Sequence, residues 1–333
     1  MLAVLSANFA FPIRSLPADS GWRRQTSNSF AELHAVFFLD QKLGWTAGGR
    51  GTLLHTEDGG ATWQAQKKPS DDSIRDLLFW DRQDGWLLCE RNIFLMKSMD
   101  EVRSYLLHTT DGGSNWTRVD VDGVDADTRF TRLLRAGEGR AWLLGEAGNL
   151  YLTNDRGRSW KRQVPPTRYL LLGGTFLDAD HGWLTGGGAT VSRTIDGGAV
   201  WRTTVLRNAP GARFNAVSFA TVNRGWVVGN DGRIYTTGDG GRAWTPQVTG
   251  TDEELFDVRF LDQSEGWVVG GHGTLLHTRD GGGRWTAVET GVAHLLERIV
   301  VQDRNHGWIV GLGGTILSLT QTANERPPVL RRN

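Results

Sequence analysis

A single cysteine, Cys89, in a chain of 333 residues excludes an intramolecular disulfide. Surplus charge of either sign is also missing. Lys+Arg and Asp+Glu are both 37, whereas general binding to nucleic acid normally needs a clear basic excess. No apolar run approaches the roughly 20 residues of a spanning helix, and no stretch carries sustained helical periodicity. Tyrosines number only four: Tyr105, Tyr151, Tyr169 and Tyr235. The opening segment, MLAVLSANFAFPIRSLPADS, has a short apolar stretch but no basic region ahead of it. Residues 1–19 therefore read as a flexible leader or the remnant of a signal segment.

What is abundant is glycine, 44 residues, and tryptophan, 15 residues. The tryptophans form two series. Trp45, Trp86, Trp142, Trp183, Trp226, Trp267 and Trp308 are separated by 41, 56, 41, 43, 41 and 41 residues. Trp63, Trp116, Trp160, Trp201, Trp244 and Trp285 follow the first series by 18 residues in five units and by 30 in the second, which carries a twelve-residue insertion. A period near 41 residues, with apolar runs of four to eight bounded by glycine-rich turns, is that of a four-stranded propeller blade. Within one unit, LHAVFFLD, GWTAGG, TLLHT and WQAQ read as the four strands in order.

The seventh unit ends early. After GLGGTILSL the chain runs into QTANERPPVLRRN without a second tryptophan. At the other end, Trp22 precedes Trp45 by 23 residues, the step that separates Trp63 from Trp86 and Trp285 from Trp308. The strand around Trp22 thus supplies the outer strand missing from the last blade, removing the exposed edges of an open ring. The expectation is an all-β, seven-bladed β-propeller with four-stranded blades over residues 20–320, closed by the N-terminal strand, with an extended tail over 321–333. Trp80 alone lies outside the tryptophan lattice.

Six units carry the motif T-x-D-x-G-x-x-W: TEDGGATW, TTDGGSNW, TNDRGRSW, TIDGGAVW, TGDGGRAW and TRDGGGRW. Its aspartates, Asp58, Asp111, Asp155, Asp196, Asp239 and Asp280, can accept hydrogen bonds from their own turn, and the glycines permit positive φ. The pattern resembles the Asp-box, or bacterial neuraminidase repeat, which is found in sialidases, endoglucanases and non-enzymatic propellers alike. Six copies in one geometric slot read as scaffold, each locking the hairpin between strands three and four. Asp40, Asp178 and Asp262 recur at another turn slot and read the same way.

A sialidase-like site would need three arginines, a tyrosine with a partner glutamate and an acidic aspartate. Tyr151 and Tyr235 fall within third strands, and no carboxylate pair stands out from the repeat. His55, His108 and His277 share an L-L-H-T slot, but the sixth blade is remote from the first two, which opposes a shared metal. Asp120, Asp122, Asp125 and Asp127 crowd one inter-blade link without the spacing of a calcium loop. No metal or cofactor is expected.

Strand order puts the Asp-box turns on one face with the turns between strands one and two. The turns between strands two and three lie on the opposite face with the links between blades. That second face receives the insertion within Arg91 to Tyr105, which includes Met96, Lys97, Met99 and Arg103. It also receives Arg129, Arg132, Arg168, Arg207, Arg213 and Arg233, candidates for a basic patch over blades three to five that would bind a partner.

Over residues 20–320 the unit G-W-x-x-G-x-x-G-T-L-L-x-T-x-D-G-G-x-x-W resembles the photosystem II stability/assembly factor family of seven-bladed propellers. EGWVVGGHGTLLHTRDGGGRW and the ending GWIVGLGGTILSL carry the resemblance most strongly. It implies a non-enzymatic assembly factor that binds an immature membrane-protein subunit of a photosynthetic reaction centre. It also implies a periplasmic or lumenal location, with a cytoplasmic one as the alternative. The family's arginines are not carried over one by one, because the middle blades align least clearly. A monomer, free to associate peripherally with a membrane, is expected. A glycan-acting hydrolase or glycan-binding Asp-box propeller is the alternative function.

Overall fold

In the computed structural model, residues 21–96, 98 and 101–319 are described; the expected leader, tail and Lys97 lie outside them. Twenty-eight strands form seven four-stranded antiparallel sheets. Blade 1 comprises Leu33–Phe38, Gly44–Gly48, Leu53–Thr56 and Gln64–Ala65, and five further blades repeat that order. Blade 7 is composite. Leu296–Asp303, His306–Gly311 and Thr315–Leu319 are completed by Trp22–Gln25, which pairs antiparallel with Thr315–Leu319.

The N-terminal strand also reproduces the contacts of an outer strand. Gln247, on the outer strand of blade 5, accepts a hydrogen bond from the Trp285 indole of blade 6 at 3.1 Å. Gln25 does the same for Trp63 of blade 1 at 3.0 Å. Its place in the ring is therefore fixed by side chains as well as by the ladder.

The tryptophan lattice is the glue between blades. The first-series tryptophan of one blade stacks on a phenylalanine at the end of the next inner strand, and that blade's Asp-box tryptophan meets the same ring edge-on. Trp45 lies 3.7 Å above Phe79, which Trp116 meets at 82°. Trp308 lies 3.4 Å from Phe38, which Trp63 meets at 89°. Such pairs add about 0.5–1.5 kcal/mol beyond their buried area. The glycine before each tryptophan follows from this packing: a Cβ at Gly85 would collide with the Phe79 ring. In blade 3 the phenylalanine slot is Arg135, and there Ala141 replaces the glycine.

Two slots lack the phenylalanine, Arg135 in blade 3 and Val301 in blade 7. The tryptophans that would have stacked there pair instead with a histidine of their own blade. Trp86 stacks on His108 at 4.2 Å and Trp267 on His277 at 4.8 Å. These histidines also reach carboxylates, Asp84 at 2.9 Å and Glu265 at 3.2 Å. They occupy separate blades and do not converge. Trp80, outside the lattice, donates to the Arg156 carbonyl at 3.1 Å and lies under the Arg135 guanidinium.

Candidate functional site

The Asp-box is a closed local circuit. In blade 1 the Thr56 hydroxyl donates to Asp58 at 2.8 Å and accepts from the Gly60 amide at 2.8 Å. Asp58 in turn accepts from the Thr62 amide at 2.9 Å and hydroxyl at 2.6 Å. Burial opposes ionisation of Asp58, but the hydrogen bonds from Thr62, Thr56 and Gly60 outweigh it and hold the carboxyl at about 2. Asp111 is likewise at about 2, chiefly through Asn115. Asp155, Asp196, Asp239 and Asp280 are all lowered as well. Arg156, standing where the other boxes have a glycine, takes a φ of 62°. Each box turn bonds to the turn between strands one and two, as Gly59 does to the Lys42 carbonyl at 2.9 Å, and together these turns make the box face. The box threonine hydroxyl and one oxygen of the box carboxylate are engaged inside the turn.

The opposite face is built differently. Every inner strand carries a β-bulge at the same register, one residue wide and near its start, as between Leu33 and Ala35 in blade 1. The bulged residues are His34, Arg75, Thr131, Leu172, Asn215, Phe256 and Glu297. A bulge bends its strand and re-aims one side chain. Most of these side chains line a cavity of about 240 Å³ at the channel mouth, together with Arg129, Leu170, Arg213 and Glu254. The turns between strands two and three bond to the links, as Glu146 does to the Arg129 carbonyl at 2.9 Å, so mouth, links and insertion share this link face.

Charge at the mouth is paired in a chain of contacts. Arg75, Arg103 and Arg129 converge on Glu90 at 3.0, 3.1 and 2.9 Å, and Arg103 and Arg129 also reach Glu146 at 3.6 and 3.3 Å. Arg75 contacts His34 Nε2 at 3.2 Å, while His34 Nδ1 meets Glu297 at 2.9 Å. Burial opposes ionisation of Glu297, yet His34, Arg298 and Arg75 more than compensate and lower its pKa. Arg213 pairs with Glu254, which also accepts from Asn215 at 2.9 Å. Glu32, His34 and Glu297 place their ligand atoms within 4.8 Å of one another. The Arg75 guanidinium against the second His34 nitrogen opposes a cation there.

Below the mouth the channel narrows around Arg132, Asp76, Asp257, Arg259 and Arg298. Burial and the charge of Arg298 lower the Arg132 pKa, while burial raises that of Asp76 against the pull of both arginines.

Of the arginines expected to act together, Arg103 and Arg129 share one network, Arg213 lies across the mouth and Arg132 sits inside the channel. Arg168 and Arg207 are exposed on links, with no ion-pair partner among the described residues. Arg233 stands apart in the blade 5 turn, paired with Asp231 at 2.6 Å. Counter-charges therefore divide the expected patch. Sequence reasoning missed Arg75, Glu90, His34, Glu297 and Arg298. For all but Glu90, which ends the second strand of blade 2, the signal was the first half of each inner strand, where LHAVFF, SIRDLLF, FTRLLR, LFDVRF and LERIVVQD break the apolar alternation differently.

The model of the family described as photosynthesis system II assembly factor YCF48 matches residues 16–170, 165–249 and 246–325. The chain belongs to this family. Among YCF48 relatives, it is 28% identical over 150 residues to the photosystem II assembly lipoprotein Ycf48 of Synechococcus sp. (strain CC9902), 44% of this chain and 41% of that one. It is 30% identical over 175 residues to the chloroplastic photosystem II stability/assembly factor HCF136 of Arabidopsis thaliana, 50% and 40% of the two chains. The matched stretch thus spans about two fifths of these relatives' length. A solved YCF48 bound to D1 peptide superposes with a TM-score of 0.75 at 22% identity, covering 94% of this chain and 99% of that one. A virginiamycin B lyase from Staphylococcus aureus reaches 0.71 at 12% identity, over 90% and 100%. At such identities the superpositions establish the propeller fold, which YCF48 proteins share with enzymes.

Proposed function

We propose that this chain is a non-enzymatic assembly factor that holds a segment of an immature membrane-complex subunit against the mouth on the link face. The observation that carries the reading is the arginine–glutamate network around Glu90, Glu146 and Glu254 beside apolar Leu170, Leu172 and Phe256. Ion pairs that are only partly buried can exchange partners, so a peptide carboxylate can replace a glutamate on Arg129 or Arg213 while its apolar neighbours settle on the cavity wall. Membership of the YCF48 family, and the D1 peptide held by a relative of the same fold, support a photosynthetic reaction-centre polypeptide as the client. A lipoprotein and a chloroplastic protein among the relatives support a periplasmic or lumenal location. The chain is taken to act as a monomer.

The placement of the tyrosines supports a binding role over glycoside cleavage. Tyr105 donates to Asp72 at 2.7 Å between blades, Tyr151 to the Gly123 carbonyl and Tyr235 to the Asn208 carbonyl. None of the three lines the mouth. Affinity purification of the chain from its native host tests the reading. The expected result is co-elution of a membrane polypeptide, reduced at least about tenfold by Arg129→Glu with Arg213→Glu. Recovery of no membrane polypeptide, together with hydrolysis of a sialoside or glucan, would overturn it.

A further inference from the structure

The channel below the mouth shares Arg298 with the wall of the mouth, and its charges do not balance. Arg132, Arg135, Arg259 and Arg298 line a cavity of about 240 Å³ together with Asp76 and Asp257. Four arginines against two aspartates leave the lining positive, and Glu297 beside Arg298 offsets part of that charge. Both carboxylates are already engaged. Asp76 accepts from the Leu77 and Leu133 amides at 3.0 and 2.8 Å, tying blade 2 to blade 3. Asp257 accepts from the Val258 and Ile299 amides at 3.0 and 3.1 Å, tying blade 6 to blade 7 in the same way.

The arginines are less well served. Arg132 donates its Nε to the Leu172 carbonyl at 3.2 Å, and one Nη of Arg298 donates to the Glu297 carbonyl at 3.1 Å. The Nε groups of Arg259 and Arg298 are buried and have no hydrogen-bond partner among the described residues. Buried donors, charged ones above all, are normally satisfied. A guanidinium presents Nε and one Nη as parallel donors whose spacing matches the oxygens of an oxyanion. The cavity is several times the share of volume of one water, roughly 30 Å³.

We propose that the central channel binds one small oxyanion, of sulfate, phosphate or carboxylate chemistry, on the buried Nε edges of Arg259 and Arg298. The anion neutralises the surplus charge and cross-links the inner strands of blades 6 and 7. This site lies below the mouth and shares Arg298 with its wall, so Arg259→Gln is the variant whose loss of anion binding would leave the proposed partner binding intact.

Isothermal titration of the whole chain with sodium sulfate, inorganic phosphate and acetate, at ionic strength held constant with sodium chloride, tests the proposal. The expected result is one oxyanion per chain. Binding weakens at least tenfold in Arg259→Gln and in Arg298→Gln and is unchanged in Arg233→Gln, which lies on the outer turn. Binding of acetate alone would identify a carboxylate as the occupant; binding of sulfate and phosphate would identify a free inorganic anion. Should the glutamine variants fail to fold, crystals of the unaltered chain soaked in selenate provide the second measurement, with an anomalous peak expected beside both Nε atoms. Absence of that peak, absence of heat from all three anions, or equal binding in folded variants would overturn the proposal and assign the channel to water.

Discussion

At the scale of single residues the molecule depends on two repeated devices, a carboxylate circuit and an aromatic sandwich. All six box aspartates have pKa values below the ordinary 3.8, two of them at about 2. A carboxyl depressed in the folded state stabilises it fully above the unfolded pKa and loses that contribution as pH falls through the folded one. Stability is therefore expected to fall as pH drops from about 4 to about 2. Asp58→Asn should reduce stability at neutral pH and flatten that decline, as read from urea unfolding across the range. The sandwich makes a steric prediction. Gly85→Ala, which presses a methyl into the Phe79 ring, should cost about 1–3 kcal/mol in the same assay. Phe79→Ala should cost about 3–5 kcal/mol, because it opens a cavity between Trp45 and Trp116.

At the scale of elements, ring closure rests on Trp22–Gln25. Removing residues 21–25 exposes the edge of Thr315–Leu319 and strips Gln25 from Trp63. The shortened chain should show a lower Tm and concentration-dependent aggregation by light scattering; an unchanged Tm would mean that the ring closes without it. Spacing alone was enough to place this strand, because the 23-residue step across one outer strand and one link recurs in four of the six other units. The inner-strand bulges were less legible. A bulge adds one residue without a composition signal, and it moved His34, Arg75 and Glu297 from strand faces into the mouth. The histidine slot was legible as a repeat but not as a stack: His108 and His277 lie flat on their tryptophans where the next blade lacks the phenylalanine, whereas His55 is tilted at 40° where Phe79 is present.

At the scale of the whole molecule the two faces differ in what they can offer a partner. On the box face the repeated threonine and aspartate bond within their own turns. The link face presents ion pairs, the exposed Arg168 and Arg207, and exposed Phe30 and Phe94. Arginine positions on this face could be read from strand order, but the acids that divide them could not. Glu90, Glu146 and Glu254 come from three different blades and meet their arginines only once strands pair and neighbouring blades pack. The most direct test is site-specific photo-cross-linking in the native host. A photoreactive residue is placed at Phe94 or Arg168 on the link face, and at Ile195 on the box face. The account predicts adducts with a membrane polypeptide at the first two positions and none at Ile195. Adducts confined to Ile195, or no membrane polypeptide at any position, would contradict it.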